Sequence, residues 1–238
     1  MRGMTNISSN SNLDISPSPL RPRVLSIAGT DPTGGAGAQA DLKSIMAAGG
    51  YGMSVITALV AQNTQGVRNI HTPPLDFLRA QLDSVFDDVT VDAVKIGMLG
   101  DIDTIQAVRD YLQSHQVTTV LDPVAVASSG DRLLTADAED ALRDFAAASS
   151  VVTPNLPELA LLTKTKIASS EQEAVDIART WAKETDTTVI VKLGHLAGPE
   201  AGNIAVAPSG ETHKVSSPRV ETKNTHGTGC SLSLIHIS

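Results

Sequence analysis

"VLSIAGTDPTGGAGAQADLKSIMAAGG", residues 24–50, places a strand, a glycine-rich turn and a helix in direct succession. Val24–Ala28 is a short apolar run ended by Gly29, and a polar turn, "GTDPTGGAG", follows it. The helix is expected from about Ala36 to Ala48, stopped by Gly49 and Gly50 in the way C-terminal glycines commonly act. The same alternation continues downstream. Met53–Val60 reads as one buried strand. Pro73 and Pro74 open a helix with Leu75, Leu78, Leu82, Val85 and Phe86 on one face. Strands are expected at Val91–Met98, Thr118–Leu121, Val151–Thr153, Thr188–Lys192 and Asn203–Ala207. Helices are expected at Asp103–Ser114, Thr135–Ala147 and Leu156–Leu162. Ser169 and Gln172 suggest a capping box for one more, running to Lys183. Strand–helix alternation predicts an α/β fold with a mostly parallel sheet covered on both faces. Ligands of such sheets bind beyond the carboxyl ends of the strands. Gly29, Gln62, Met98, Asp122, Asn155 and Lys192 all fall there.

Bulk properties narrow the partners. The 238 residues carry a formal charge of −8, with 41% hydrophobic and 3% aromatic residues, so Val, Ile, Leu and Ala must fill the core. Lys and Arg are scattered, which argues against a nucleic-acid or anionic-membrane partner, since both need a basic face. Small anionic ligands remain compatible, because local donors rather than net charge hold them. One cysteine excludes an intramolecular disulfide. No apolar run approaches the ~18 residues needed to cross a membrane. Residues 1–23 lack a signal-peptide core and read as a disordered Asn/Ser/Pro-rich tail, with the cytoplasm as the default location.

Individual motifs each admit two readings. Gly35-Ala-Gly37-Ala-Gln-Ala40 matches a loose dinucleotide pattern. The acidic ribose partner is missing, because no Asp or Glu lies between Asp41 and Asp76. A Walker-type phosphate loop is absent, and the six histidines have no metal-ligand spacing. Asp41, on its own, reads as a solvated helix charge. Asp122 could cap a turn or serve a ligand. Glu158 could complement the dipole of a first helical turn or reach a metal-bound water beside a phosphate. Lys192 could be an exposed strand end. The strongest local signal is Asn224-Thr-His-Gly-Thr-Gly-Cys230. Backbone N–H groups of such a turn can converge on an anion, and a cysteine there would have a lowered pKa. A buried inert thiol is the plainer alternative.

Taken together, "IAGTDPTGGAGAQADLK", "YGMSVITALVAQNTQGV", "KIGMLGD", "LDPVAVASSGD", "TPNLPEL" and "TKNTHGTGCSLS" occur in an order and spacing that resemble one family. It is hydroxymethylpyrimidine/phosphomethylpyrimidine kinase, a thiamine-biosynthesis family of the ribokinase-like fold, and the resemblance spans about residues 24–233. It implies a three-layer α/β/α sandwich and two ATP- and Mg²⁺-dependent phosphoryl transfers, to 4-amino-5-hydroxymethyl-2-methylpyrimidine and then to its monophosphate. By the same resemblance, Gln62 bonds the pyrimidine edge, and Gly29, Asp41, Met98 and Val124 shape its pocket. Asp122, Asn155 and Thr225 belong to the ATP phosphate region, and Glu158 to the metal. Lys192 counters charge on the transferred group. Gly227, Thr228 and Gly229 form the anion hole, with Cys230 as base. Pyridoxal kinase is the nearest alternative, and a homodimer is compatible with the family.

The sequence departs from the family pattern in three places. Ala127-Ser128-Ser129-Gly130 lacks a lysine usual in relatives, and Leu193 stands where relatives carry a glycine before Gly194 and His195. The similarity fades after Ser233. "LIHIS" therefore reads as a truncation or sequence artefact that leaves the C-terminal helices missing, and a catalytically inactive fragment is a further alternative.

Overall fold

The computed structural model describes residues 21–63, 65–125, 133–194, 196, 198 and 200–219. Its centre is an eight-stranded sheet. The chain enters it through β1 (Arg23–Ala28), and α1 (Gly37–Ala47) carries it back to β2 (Tyr51–Ile56). A hairpin of β3 (Leu59–Asn63) and β4 (Gly66–His71) then stands apart as a two-stranded sheet. There follow α2 (Leu75–Phe86), β5 (Ala93–Ile96), α3 (Ile102–His115), β6 (Thr118–Leu121), a 3₁₀ turn and α4 (Glu139–Ala147). The chain continues through β7 (Val151–Val152), α5 (Leu156–Thr163), α6 (Glu171–Thr185), β8 (Thr188–Lys192), β9 (Glu200–Val206) and β10 (Thr212–Pro218).

Strand order is β10-β9-β8-β7-β6-β5-β1-β2, parallel from β2 to β8 and antiparallel at β9 and β10. The step from β1 to β2 runs toward one edge, whereas β2 to β5 and onward to β8 runs the other way. Right-handed crossovers then place α1 on one face and α2 to α6 on the other, and α2 to α6 do pack as a consecutive row. Leu25, Ile27, Val94, Ile96, Leu121, Val152, Val189 and Val191 belong to the main core, which also takes in Leu82, Ile105, Leu142, Leu159 and Ala178 from the helix row. Val24 and Ile45 form a small separate cluster between β1 and α1. The architecture is the ribokinase-like α/β arrangement that the motifs imply.

Local signals explain most boundaries. Asp101 caps α3 by accepting from the Thr104 N–H, and Asn155 and Glu158 close a capping box on α5. Gly49 takes φ +88° at the end of α1, a conformation that costs glycine little.

Three expectations need correction. Met53–Val60 is not one strand: it breaks at Thr57–Ala58, where Thr57 N–H bonds the Ala28 carbonyl at 3.1 Å and Thr30 N–H bonds the Ala58 carbonyl at 2.9 Å. The cap of α6 is Ser170, not Ser169. Ser170 Oγ accepts from the Glu173 N–H, and it is the Glu173 carboxylate, not the Gln172 amide, that reaches back to accept from Ser169. The strands β4 and β10 have no counterpart among the expected elements. The expected tail, residues 1–23, lies outside the described residues apart from its last three positions, of which Arg23 already belongs to β1. The LIHIS end also lies outside them.

Candidate active site

The carboxyl ends of β1, β5, β6, β7 and β8 converge, and the residues just beyond them build the site. After β1, the chain turns sharply around Asp31. This buried carboxylate accepts from Thr33 N–H and Oγ1–H, Gly35 N–H and Ala36 N–H at 2.8–3.1 Å. Gln39 Oε1 accepts the Asp31 N–H, and Lys43 donates to the Gly34 carbonyl at 2.7 Å. The turn is thus held from within and from α1. Gly37 opens α1 at φ +56°, and the Ala38 N–H bonds the Gly29 carbonyl at 2.9 Å. Asp31 drew no notice in the sequence. An Asp two residues before Thr and four before Gly is the signal that could have found it.

Gly29, Met98 and the hairpin meet beyond the strand ends. A side chain at Gly29 would begin 3.2 Å from Met98 Sδ and 3.5 Å from Val60 Cγ2. Thr57 Oγ1 donates to the Met98 carbonyl at 2.6 Å, and Thr30 Oγ1 accepts the Val60 N–H at 2.9 Å. The register of the hairpin shifts between Ala61 and Gln62. Such a bulge re-aims the side chain that follows it, and here it brings the Gln62 amide 3.5 Å from the Thr30 carbonyl. Gly29, Gln62 and Met98, distant in sequence, therefore meet.

Asp41 corrects its isolated reading as a solvated charge. It is fully buried. Both carboxylate oxygens lie 2.9 Å from Lys95 Nζ, and one accepts from Ser26 Oγ at 2.5 Å. Burial pushes this carboxyl up from its ordinary value, while Lys95 and Ser26 oppose the shift. Lys95 was visible only as the first letter of "KIGMLGD".

Asp122, Glu158 and Lys192 form the second cluster. Asp122 follows β6, and its N–H continues the ladder to the Ile96 carbonyl at 2.8 Å. Val124, partly exposed, closes a tight turn onto the Asp122 carbonyl across Pro123. Lys192 Nζ donates to Asp122 Oδ1 at 2.7 Å and stands 3.6 Å from Glu158 Oε2. With its side chain 13% exposed, Lys192 is not the solvated strand end it could have been. Asn155 bridges Lys192 in parallel register and shares the α5 capping box with Glu158. Glu158 serves the start of α5 and also sits in a charged cluster.

Burial, reinforced by Asp122 and opposed by Lys192, pushes the Glu158 carboxyl up to about 7. An acid whose folded pKa exceeds its unfolded value favours the folded state while protonated. Its contribution is fully present below the ordinary Glu value and is lost as pH rises toward 7. Glu158→Gln is expected to remove this dependence. The variant should gain about 1–3 kcal/mol relative to wild type between pH 5 and pH 8. Urea unfolding across that range checks it, and parallel pH curves would contradict the assignment.

Arg219 also escaped sequence reading. Its guanidinium donates to the carbonyls of Gly194, Leu196, Gly198 and Glu200 at 2.6–3.2 Å, tying down the loop that leaves Lys192. Five donors in a rigid fork suit this better than an ammonium. Leu193, in that loop, is buried. His195, the segment Ala127–Gly130, and Thr225, Gly227, Thr228, Gly229 and Cys230 lie outside the described residues.

The phosphomethylpyrimidine kinase profile matches residues 31–235. The chain belongs to the phosphomethylpyrimidine kinase family. A hydroxymethylpyrimidine/phosphomethylpyrimidine kinase of Salmonella typhimurium is 50% identical over 215 residues, covering 90% of this chain and 80% of the relative. The thiamine biosynthesis multifunctional protein ThiED of Corynebacterium efficiens is 61% identical over 214 residues, covering 90% of this chain and 29% of the relative. The chain therefore spans less than a third of that multifunctional protein. A Bacillus subtilis pyridoxal kinase, solved as an ADP complex, superimposes with a TM-score of 0.80 at 29% identity, over 90% of this chain and 81% of its own. Among those residues no helix is long and apolar enough to cross a membrane.

Proposed function

We propose that this chain phosphorylates 4-amino-5-hydroxymethyl-2-methylpyrimidine and then its monophosphate, using ATP. The observation that carries the reading is the placement of the Asp122–Lys192–Glu158 cluster one strand away from the place where Gly29, Gln62 and Met98 meet. A ring held beside Gly29, Gln62 and Met98 would present its hydroxymethyl group toward the cluster. The Gln62 amide offers a donor and an acceptor, matching an aminopyrimidine edge. Gly29 leaves the space that a side chain would take from the ring, with Met98 and Val124 as its apolar walls.

In the transfer, the hydroxymethyl oxygen bonds to the γ-phosphorus, the bond to the β,γ-bridging oxygen breaks, and ADP leaves. The hydroxyl proton passes to Cys230. Gly227, Thr228 and Gly229 supply N–H groups to the transferred oxygens, and Thr225 and Asn155 attend the ATP phosphates. Lys192 adds positive charge beside them. Positioning and charge stabilisation of this kind dominate phosphoryl transfer.

Magnesium fits the same place. Two carboxylates share one lysine there, and their oxygens are the donors a hard cation prefers. Among the described residues no group of three metal-ligating side chains exists. Glu158, acting directly or through water, would therefore hold Mg²⁺ together with phosphate oxygens. Bound there, the ion would neutralise charge on the phosphates.

A pyridoxal kinase activity is the second reading, favoured by the fold match to the Bacillus subtilis enzyme. A coupled ATP-consumption assay on this chain, with hydroxymethylpyrimidine and pyridoxal in parallel, separates them. Consumption is expected with the pyrimidine and to fall at least ~100-fold in Cys230→Ala, the scale of removing a positioned proton acceptor. Preference for pyridoxal would overturn the substrate, and no consumption with either would overturn the activity.

A further inference from the structure

The hairpin of β3 and β4 pairs with no strand of the large sheet, and a two-stranded hairpin alone is marginal in water. It carries Gln62, so whatever anchors it also places that amide. Thr30, half-buried two residues beyond β1, meets the stretch that enters β3 with three polar groups. Its N–H donates to the Ala58 carbonyl at 2.9 Å. Its Oγ1 accepts the Val60 N–H at 2.9 Å, one residue ahead of the bulge at Ala61 and Gln62. Its carbonyl accepts from Gln62 Nε2 at 3.5 Å, the longest of the three. The partners are alternate residues, so Thr30 follows this stretch from its start to the bulge. The Thr30–Asp31 peptide is held on its other side too. Its N–H donates to Gln39 Oε1 of α1 at 2.8 Å, and the C=O and N–H of a trans peptide point opposite ways. The turn and α1, rather than the hairpin, therefore fix the carbonyl that Gln62 meets.

We propose that Thr30 is a positioning residue for Gln62. Its hydroxyl holds β3 just ahead of the bulge, and its carbonyl orients the amide that reads the pyrimidine edge. This role rests on the pyrimidine reading of the site. An amide has two N–H groups and one oxygen. Donating to Thr30 occupies one N–H and decides which side of the amide carries oxygen. The other N–H and Oε1 are then left as a donor and an acceptor for an aminopyrimidine. The bond at 3.5 Å is the weakest of the set, so the Val60 N–H, held at 2.9 Å, carries most of the positioning. Thr30 acts through Gln62 and bonds no substrate itself.

Thr30→Val keeps the shape of the side chain and removes the acceptor of the Val60 N–H, whereas Thr30→Ser keeps the acceptor. In the coupled ATP-consumption assay, Thr30→Val is expected to raise KM for hydroxymethylpyrimidine at least ~10-fold, the scale of one hydrogen bond lost from the site. KM for ATP should change less than ~2-fold, and Thr30→Ser should stay within ~3-fold of wild type for both. Thr30→Ala removes the same acceptor and stands in if Thr30→Val does not fold. The deciding comparison is made in a Gln62→Leu background. There Thr30→Val should lower kcat/KM for the pyrimidine less than ~2-fold further, because a residue acting only through Gln62 has nothing left to position. A full second tenfold loss in that background overturns the role. An unchanged pyrimidine KM in folded Thr30→Val, or an equal rise in both KM values, overturns it as well. Each of these results leaves the pyrimidine reading intact. If the wild-type chain consumes ATP with pyridoxal but not with the pyrimidine, or with neither, the reading falls and this role falls with it.

Discussion

Lys192→Met is expected to lower stability by about 2–4 kcal/mol and to lower phosphoryl transfer at least ~100-fold. The ammonium stands between Asp122 and Glu158, at 2.7 and 3.6 Å. Removing it leaves two buried carboxylates with no cation of their own, which costs far more than the pair itself contributes. The loss must depend on pH. Lys192 is what holds the Glu158 carboxyl down against burial, so its removal pushes that pKa further up. Near pH 5, Glu158 is protonated in either protein and the difference is smallest. As pH rises toward 8, the variant must either retain a proton that solution disfavours or bury two negative charges. Its deficit therefore grows. Urea unfolding at pH 5, 7 and 8 measures this, and a deficit that shrinks with rising pH would contradict the arrangement.

Gly37→Ala is expected to be nearly as damaging, for a steric reason. Gly37 has φ +56°, a region costing other residues about 1–2 kcal/mol. A methyl group there would also collide with the Gly29 carbonyl oxygen, to which the start of α1 is bonded. Either α1 withdraws or the turn opens, and both movements displace Gly29, which lies against Met98. A total loss of about 3 kcal/mol or more follows, with pyrimidine affinity falling alongside. Gly49→Ala is the control. It has φ +88° but no heavy atom near its missing side chain, so it should lose only the backbone part and leave affinity alone. Equal losses in the two variants would show that the collision carries no weight.

Where local chemistry decides structure, the sequence was sufficient. Thr118–Leu121 and Thr188–Lys192 are strands at the expected residues, and α3 differs from Asp103–Ser114 by one residue at each end. The break inside Met53–Val60 was not legible. The run carries no glycine or proline, and the hydrogen bonds that break it come from Ala28 and Thr30, in another part of the chain. The strand β10, "THKVSSP", is polar and exposed at the sheet edge, so it lacks the alternation that would announce it. In α6 two adjacent serines offered two caps, and Glu173 selected the second.

The sequence by itself determined the alternation, the parallel sheet and the line of polar residues at the strand ends, because each follows from short-range periodicity and turn chemistry. Its ordered motifs also determined the family. Only the tertiary structure decided what those polar residues do for one another. Asp41 meets Lys95 across 54 positions, and Lys192 meets Asp122 across 70. No local pattern encodes such pairs, since the charge that makes a buried carboxylate tolerable is supplied by the packing of a distant strand.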